Sequence, residues 1–182
     1  MNRRTLILLA ALFIGLAVIT FFVQNRPASV PELQPDDLVL DVLFPDLTAA
    51  DVQAVRLRDP ATDAAFLINR AVSGAWTAPD LIGALNPATA ENIAATVLLM
   101  PYSRTIPPEE QAGLETYGFA SGGLLSVEIL LIDTTAHVVA VGGENPARDS
   151  YYALVDDRLE LYLLERSAVD YLRVTVENPP VT

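Results

Sequence analysis

Cysteine is absent from all 182 residues. That alone excludes covalent c-type haem, iron–sulfur ligation, thiolate catalysis and lipoprotein acylation, each of which needs a thiol. It does not exclude an oxidising compartment, which permits disulfides without demanding them. Lysine is absent too: all 11 basic residues are arginine, so the residue that usually completes a phosphate-binding loop is missing. One histidine, His137, is the whole imidazole supply. A zinc site would then rest on carboxylates, which suit zinc poorly. Positive charge is scarce as well. Two of the 11 arginines, Arg3 and Arg4, precede the first apolar run, which leaves nine against 23 carboxylates and a net charge of about −14 beyond it. Phosphate backbones and anionic head groups repel such a chain, so nucleic-acid binding is not expected.

What the sequence does have is one long apolar run. Thr5 to Gln24 (TLILLAALFIGLAVITFFVQ) carries no charge over 20 residues, which as a helix spans about 30 Å, the thickness of a hydrocarbon core. Arg3 and Arg4 lie before it and only Arg26 follows closely. The positive-inside rule then puts the N-terminus in the cytoplasm and residues 25–182 on the extracytoplasmic side of the cytoplasmic membrane. A cleaved signal peptide is the competing reading. Its small-residue cleavage site is missing, and cleavage after Ala28 would place Arg26 at the −3 position. Gly15 is the only glycine in the run, so no Gly-x-x-x-Gly dimer face is present. The expected organisation is therefore a cytoplasmic stub and membrane helix over 1–24, a spacer over 25–37 punctuated by Pro27, Pro31 and Pro35, a folded domain over 38–176, and a tail over 177–182.

Within the domain, Val52–Arg58 (VQAVRLR) reads as a half-buried strand by its apolar–polar alternation. Asp59–Asp63 is turn chemistry, Ala65–Arg70 the returning strand, and Ala75–Thr77 a short third one. Asn86-Pro87 opens a helix, whose apolar face is Ala90, Ile93, Ala94, Val97 and Leu98, and Pro101 ends it. A second short helix is expected from Pro107-Pro108-Glu109-Glu110 to Tyr117-Gly118-Phe119, with Gly118 at a left-handed C-terminal position. Two hairpins follow. Ser126–Asp133 and His137–Gly142 flank one turn, and Tyr151–Val155 and Leu159–Leu163 flank Asp156-Asp157-Arg158. Glu165–Leu172 reads as a terminal helix. The fold class is thus α+β: antiparallel β-meanders with two to three helices, reading as two similar ββ(β)α halves, plus the N-terminal membrane helix.

The order of these pieces resembles a bacterial family catalogued as domain of unknown function 4340. The resemblance rests on Trp76 and Pro79, Ile93–Leu99, Leu114 with Tyr117-Gly118-Phe119, Val141-Gly142-Gly143, and Tyr151-Tyr152, across residues 50–172. The chain departs from the family pattern at the first helix, which opens Asn86-Pro87-Ala88-Thr89 rather than rich in aspartate, and in being shorter. The resemblance implies a membrane-anchored extracytoplasmic accessory protein, of a kind sometimes associated with ABC-type transport or gliding motility. It implies no catalytic residues.

Chemistry-bearing motifs are few. His137 beside Val138 and Val139 reads as a strand residue rather than a base. A Ser126–His137–Asp133 triad can be written, but Ser126 lacks a nucleophile-elbow context. Gly142-Gly143-Glu144-Asn145 reads as a loop between strands that uses positive φ rather than as a phosphate cradle. Asp156-Asp157 reads as a hairpin turn, not a calcium loop. No catalytic, metal or cofactor residue is assigned, and no enzyme activity is expected. Trp76, Tyr151 and Tyr152 are the candidate contacts for a partner, since tryptophan and tyrosine are enriched at binding hot spots; core packing is the competing role for all three. The partners expected are the lipid bilayer, through residues 5–24, and a protein in a membrane complex. The alternative is an extracytoplasmic ligand- or cell-wall-binding sensor, which needs a concave pocket with convergent polar groups.

The orientation is testable by fusing alkaline phosphatase after Thr182. An active fusion, retained in membranes, is the expected outcome. An inactive fusion, or a mature N-terminus beyond Gln24, would overturn the topology.

Overall fold

The computed structural model describes residues 41–180. The expected membrane helix at 5–24, the spacer at 25–37 and the last two residues of the tail lie outside the described residues. Among the described residues, no helix is long and apolar enough to cross a membrane.

Nine strands and two helices follow in the order β1 (Asp41–Val42), β2 (Val52–Arg58), β3 (Ala65–Arg70), β4 (Trp76–Thr77), α1 (Pro87–Leu99), β5 (Pro101–Ile106), β6 (Leu125–Leu131), β7 (Ala136–Glu144), β8 (Ser150–Val155), β9 (Leu161–Glu165) and α2 (Arg166–Glu177). All strands join one antiparallel sheet in the spatial order β1-β5-β9-β8-β7-β6-β2-β3-β4. The domain is therefore α+β, as expected. The first strands of the two meanders, β2 and β6, are neighbours at its centre.

The β2 sequence shows how the register is fixed. Val55 and Leu57 point inward at 0% exposure, so strict alternation would also bury Gln53. Instead the pairing shifts between Val52 and Ala54, leaving Gln53 as the extra residue of a β-bulge. Val52 is buried in its place, and the Gln53 amide donates to the Arg70 carbonyl at 2.6 Å. Both helices cover the same face. Ala90, Ile93, Ala94, Val97 and Leu98 of α1 and Val169, Leu172 and Val176 of α2 share one core with the inward residues of the strands. The start of α1 follows its sequence: the Asn86 side chain accepts from the Ala88 and Thr89 amides, and Pro87 takes the first turn.

Four expectations are corrected. Pro101 does end α1, but it also opens β5, whose sequence PYSRTI has no apolar alternation to announce a strand. The second short helix is instead two 3-10 turns, Pro108–Glu110 and Leu114–Tyr117. Side chains hold the interruption between them: Gln111 donates to the Ile106 and Leu159 carbonyls, and the Tyr117 hydroxyl accepts from the Ala112 amide. Gly118 does take the left-handed position, at φ 85°. The third correction concerns Gly142 and Gly143, which lie inside β7 rather than in a loop and do not have positive φ. Close approach is what Gly142 serves. A Cβ there would strike the Tyr117 carbonyl oxygen and lie 2.8 Å from the Phe119 ring. The terminal helix also runs further than expected, to Glu177.

Residues 107–123 thus form a strap against the sheet's other face, at its β7–β9 end. The Tyr117 ring meets the Tyr152 ring edge-on at 4.8 Å. Leu161 and Leu163, on that same face of β9, are buried yet lie outside the main core. Their burial belongs to the strap side.

Gly142→Ala is expected to destabilise the domain by about 1–3 kcal/mol, the usual cost of forcing atoms into a packed contact. Thr134, a β-branched residue at φ 74° in the β6–β7 turn, supplies the opposite case. Thr134→Gly should be neutral or stabilising by up to about 1 kcal/mol, because it relieves left-handed strain. Urea unfolding monitored by circular dichroism measures both, and an unperturbed Gly142→Ala midpoint would contradict the strap packing.

Candidate functional site

The strap covers only one end of the outer face, and the helices cover none of it. Among the described residues, the remainder is an open surface over β3, β2, β6 and the start of β7. Strand register sets its composition. One row across the sheet reads Leu67, Arg56, Glu128, Val138, and the next reads Asn69, Ala54, Leu130, Ala136. The small Ala54 and Ala136 between larger neighbours leave an open depression of about 320 Å³, lined by Ala54, Arg56, Leu67, Leu130, Ala136 and Val138. Leu130 and Val138 are 40% and 43% exposed. The charges at its side, Arg56 and Glu128, pair with each other at 3.7 Å, both half exposed. Such a pair in water contributes little stability, but it fixes a polar rim beside an apolar floor.

The sequence does carry a signal for this surface. Leu130-Leu131 and Val138-Val139 put apolar residues on both sides of their strands, where a half-solvated sheet would alternate. One residue of each pair enters the core, and the other stays on the open face.

Trp76, Tyr151 and Tyr152 do not form one surface. Trp76 sits on the edge strand β4 and Tyr151 on β8, with β3, β2, β6 and β7 between them. Trp76 is 8% exposed. Its indole N–H donates to Glu91 at 2.7 Å, and the Arg70 guanidinium lies 4.4 Å over its ring. Arg70 also donates to the Ala49 carbonyl at 3.0 Å and pairs with Glu91 at 3.4 Å. These contacts fasten β4 to α1. Tyr151 is buried, with its hydroxyl 2.8 Å from Asp170 and 3.2 Å from Glu144. Arg166 bridges the same two carboxylates at 3.0 and 3.1 Å. Burial, and then the Asp170 carboxylate, push the Tyr151 hydroxyl pKa up. At Asp170 itself burial favours the neutral acid. The hydrogen bonds from Tyr151 and Arg166, with the charges of Arg166 and Arg173, outweigh it and hold the carboxyl below the ordinary aspartate range. Of the three, only Tyr152 is half-buried rather than buried, and it lies beside Tyr117.

His137 lies at the end of the inner face. Its Nδ1 is 2.8 Å from Asp156, its ring is 4.7 Å from the Phe44 ring, and the other Asp156 oxygen accepts from the Val138 amide. Asp156 therefore closes the β8–β9 hairpin onto β7. The written triad is not assembled. Asp133 accepts from the Thr135 amide in its own turn. Ser126 lies three residues along β6 from Ile129, the residue opposite His137, which at strand rise is roughly 10 Å. Among the described residues, no three histidine, aspartate or glutamate side chains converge closely enough to hold a metal ion.

A feature with no signal in the sequence is the entry of the chain into the domain. Leu43 and Phe44 are 2% and 5% exposed. The Arg158 guanidinium, 5.6 Å from both the Phe44 and Tyr162 rings, donates to the Leu43 carbonyl. Residues 115 positions apart meet there, which no local pattern encodes.

Comparison with protein-family models, with curated proteins and with solved structures gives no match to this chain.

The Asp170 cluster makes a pH prediction. A carboxyl whose folded pKa is depressed adds stability that is fully present above the unfolded value and is lost as pH falls through the folded one. Asp170→Asn should therefore be less stable than the parent at neutral pH, and the gap should shrink below about pH 4. Tyr151→Phe should cost about 1–2 kcal/mol at neutral pH. Urea midpoints between pH 7 and pH 3 measure both effects, and a gap that does not narrow in acid would contradict the assignment.

Proposed function

We propose that this chain is a non-catalytic accessory or scaffold subunit. Residues 5–24 hold it in the cytoplasmic membrane with the N-terminus inside, and its acidic extracytoplasmic domain binds a partner protein in a larger membrane complex. The observation that carries the reading is the open sheet face. Leu67, Leu130 and Val138 surround an alanine-floored depression that neither helices nor strap cover. Contiguous apolar surface with a polar rim is the usual composition of a protein contact. The resemblance to domain of unknown function 4340 points the same way, toward an accessory role without assigned catalytic residues. The two meanders, each followed by a helix and meeting at β2 and β6, fit a domain of two similar halves whose shared outer face is the binding surface.

The sensor reading draws on the same depression, whose volume lies at the lower end of the range for small-molecule sites. Such sites orient a ligand through several unengaged polar groups. Here the flanking pair, Arg56 and Glu128, is engaged with itself, and that favours a protein partner.

Leu130→Arg and Val138→Arg test the proposal, because both side chains are exposed and their loss leaves the core intact. Each variant should unfold within about 0.5 kcal/mol of the parent, as surface changes do. Each should also lose the co-purifying subunits recovered after mild detergent extraction of native membranes. Retention of the same subunits by both variants would overturn the assignment of this face. A parent chain that extracts alone would overturn the partner reading itself.

A further inference from the structure

The two edges of the sheet are treated differently. At one end, β5 opens with Pro101, is bulged around Ser103, exposes Arg104 and is capped by β1 at Pro101 and Tyr102. Proline, bulges, charge and short covering strands are the usual devices that stop an edge from pairing. At the other end, β4 covers only Asn69 and Arg70 of β3. The uncovered residues, Ala65-Phe66-Leu67-Ile68, contain no charge, no proline and no bulge.

The backbone pattern identifies which groups are free. The β2–β3 hairpin closes with the Asp59 amide donating to the Ala64 carbonyl at 2.9 Å. In an antiparallel ladder, hydrogen-bonded and non-bonded pairs alternate. The bonded pairs are then Leu57 with Phe66 and Val55 with Ile68, whereas Ala65, Leu67 and Asn69 aim their N–H and C=O away from β2. The β3–β4 turn agrees: the Ala71 amide donates to the Ala75 carbonyl at 2.8 Å, which makes Asn69 the residue that bonds Thr77. Two residues further along the same register, Leu67 would face Pro79, which has no N–H to give. The chain turns away there, with the Leu81 amide donating to the Ala78 carbonyl. Among the described residues, Ala65 and Leu67 are thus left with two donors and two acceptors in a row. Fully exposed Val72 and Ile82 flank β4, and the Leu67 side chain forms the rim of the depression.

Charge selects the occupant. Five of the eight described arginines, Arg56, Arg58, Arg70, Arg166 and Arg173, are paired with carboxylates of this chain. Near this edge, Asp80, just past Pro79, and Asp59, in the β2–β3 turn, make no ion pair among the described residues, whereas Arg56, Arg58 and Arg70 each have a carboxylate partner. The uncompensated charge is negative, so a second copy is repelled and a basic chain attracted. We propose that the Ala65–Ile68 edge of β3 accepts an extended, basic segment of a second protein as a tenth strand. Backbone bonds to Ala65 and Leu67 hold it, and apolar side chains at every second position pack beside Leu67. This deepens the partner-binding reading and rests on it.

The probe is a synthetic ten-residue peptide of alternating valine and lysine, added to the isotope-labelled full-length chain in detergent micelles; a valine–glutamate peptide is the control. Amide hydrogen exchange is read residue by residue. Without peptide, Ala65 and Leu67 should exchange fast while Phe66 and Ile68 are protected. The valine–lysine peptide should slow Ala65 and Leu67 by at least about tenfold, and the glutamate peptide should not. Leu67→Pro removes an outward N–H without removing a bond to β2, and should abolish the effect. Should that variant lose protection at Phe66 and Ile68, Leu67→Lys, which places a repelling charge at the same edge, replaces it with the same expectation. The proposal is overturned if the peptide binds without slowing these two amides, or if both peptides act alike. It is also overturned if the two amides are already protected in the chain alone; loss of that protection on dilution would identify a second copy as the occupant. Failure here, with Leu130→Arg and Val138→Arg still releasing their co-purifying subunits, removes the edge but leaves the partner reading standing. Failure of both removes both.

Discussion

Nine strands side by side at about 4.8 Å make a sheet roughly 40 Å wide, whereas a helix with its side chains covers only about 10 Å of it. Two helices of 13 and 12 residues therefore cannot shield even one face alone, and everything else in this domain responds to that shortfall. Leu43, Phe44 and Leu47, on the approach to β2, pack into the same core as the helices. On the opposite face the strap at 107–123 covers β7 to β9 and stops. Beyond it, over β3, β2 and β6, no described helix or loop covers the face. Apolar residues on that uncovered area are the feature for which partner binding is proposed.

The polar contacts make the arrangement specific. Tyr151, Asp170, Glu144 and Arg166 form one cluster that joins α2 to β7 and β8, and Trp76, Glu91 and Arg70 form another that joins β4 to α1. Each cluster secures a helix to a different part of the sheet. Among the described residues, the one buried side-chain nitrogen or oxygen without a hydrogen-bond partner is the Arg70 Nε. Its other contacts, to the Ala49 carbonyl, Glu91 and the Trp76 ring, hold the guanidinium in place. Trp76 and Tyr151, two of the three aromatic residues proposed as a binding patch, are thus drawn into the domain by their polar tips. A buried indole or phenol must satisfy its N–H or O–H somewhere, and here the satisfying carboxylates come from helices and neighbouring strands.

Legibility followed the range of the interaction involved. Ala65–Arg70 and Val52–Arg58 were readable to the residue because turn residues and period-2 burial are local signals. The start of α1 was readable from Asn86-Pro87, whose capping geometry spans three residues. β5 was not, since Pro101–Ile106 is a strand through its pairing with Leu161–Leu164 some sixty positions away. Gly142 is legible as a constraint, but its cause is the close approach of Tyr117 and Phe119 rather than positive φ. A glycine required by a distant backbone carries the same letter as one required by positive φ.

The sequence by itself determined the absence of thiol chemistry, the excess of negative charge, the 20-residue uncharged apolar run, and the alternation that marks Val52–Arg58 as a half-buried strand, because each is a property of composition or near-neighbour spacing. Tertiary structure alone decided which apolar residues were left outside. Leu130 and Leu131, or Val138 and Val139, are indistinguishable as letters; the side-chain period of two sends one of each pair to the helices and the other to water. It also decided that Trp76 and Tyr151 serve the core, and that no described strand lies alongside Ala65 and Leu67 on their outer side, since both outcomes depend on which strand lies alongside which.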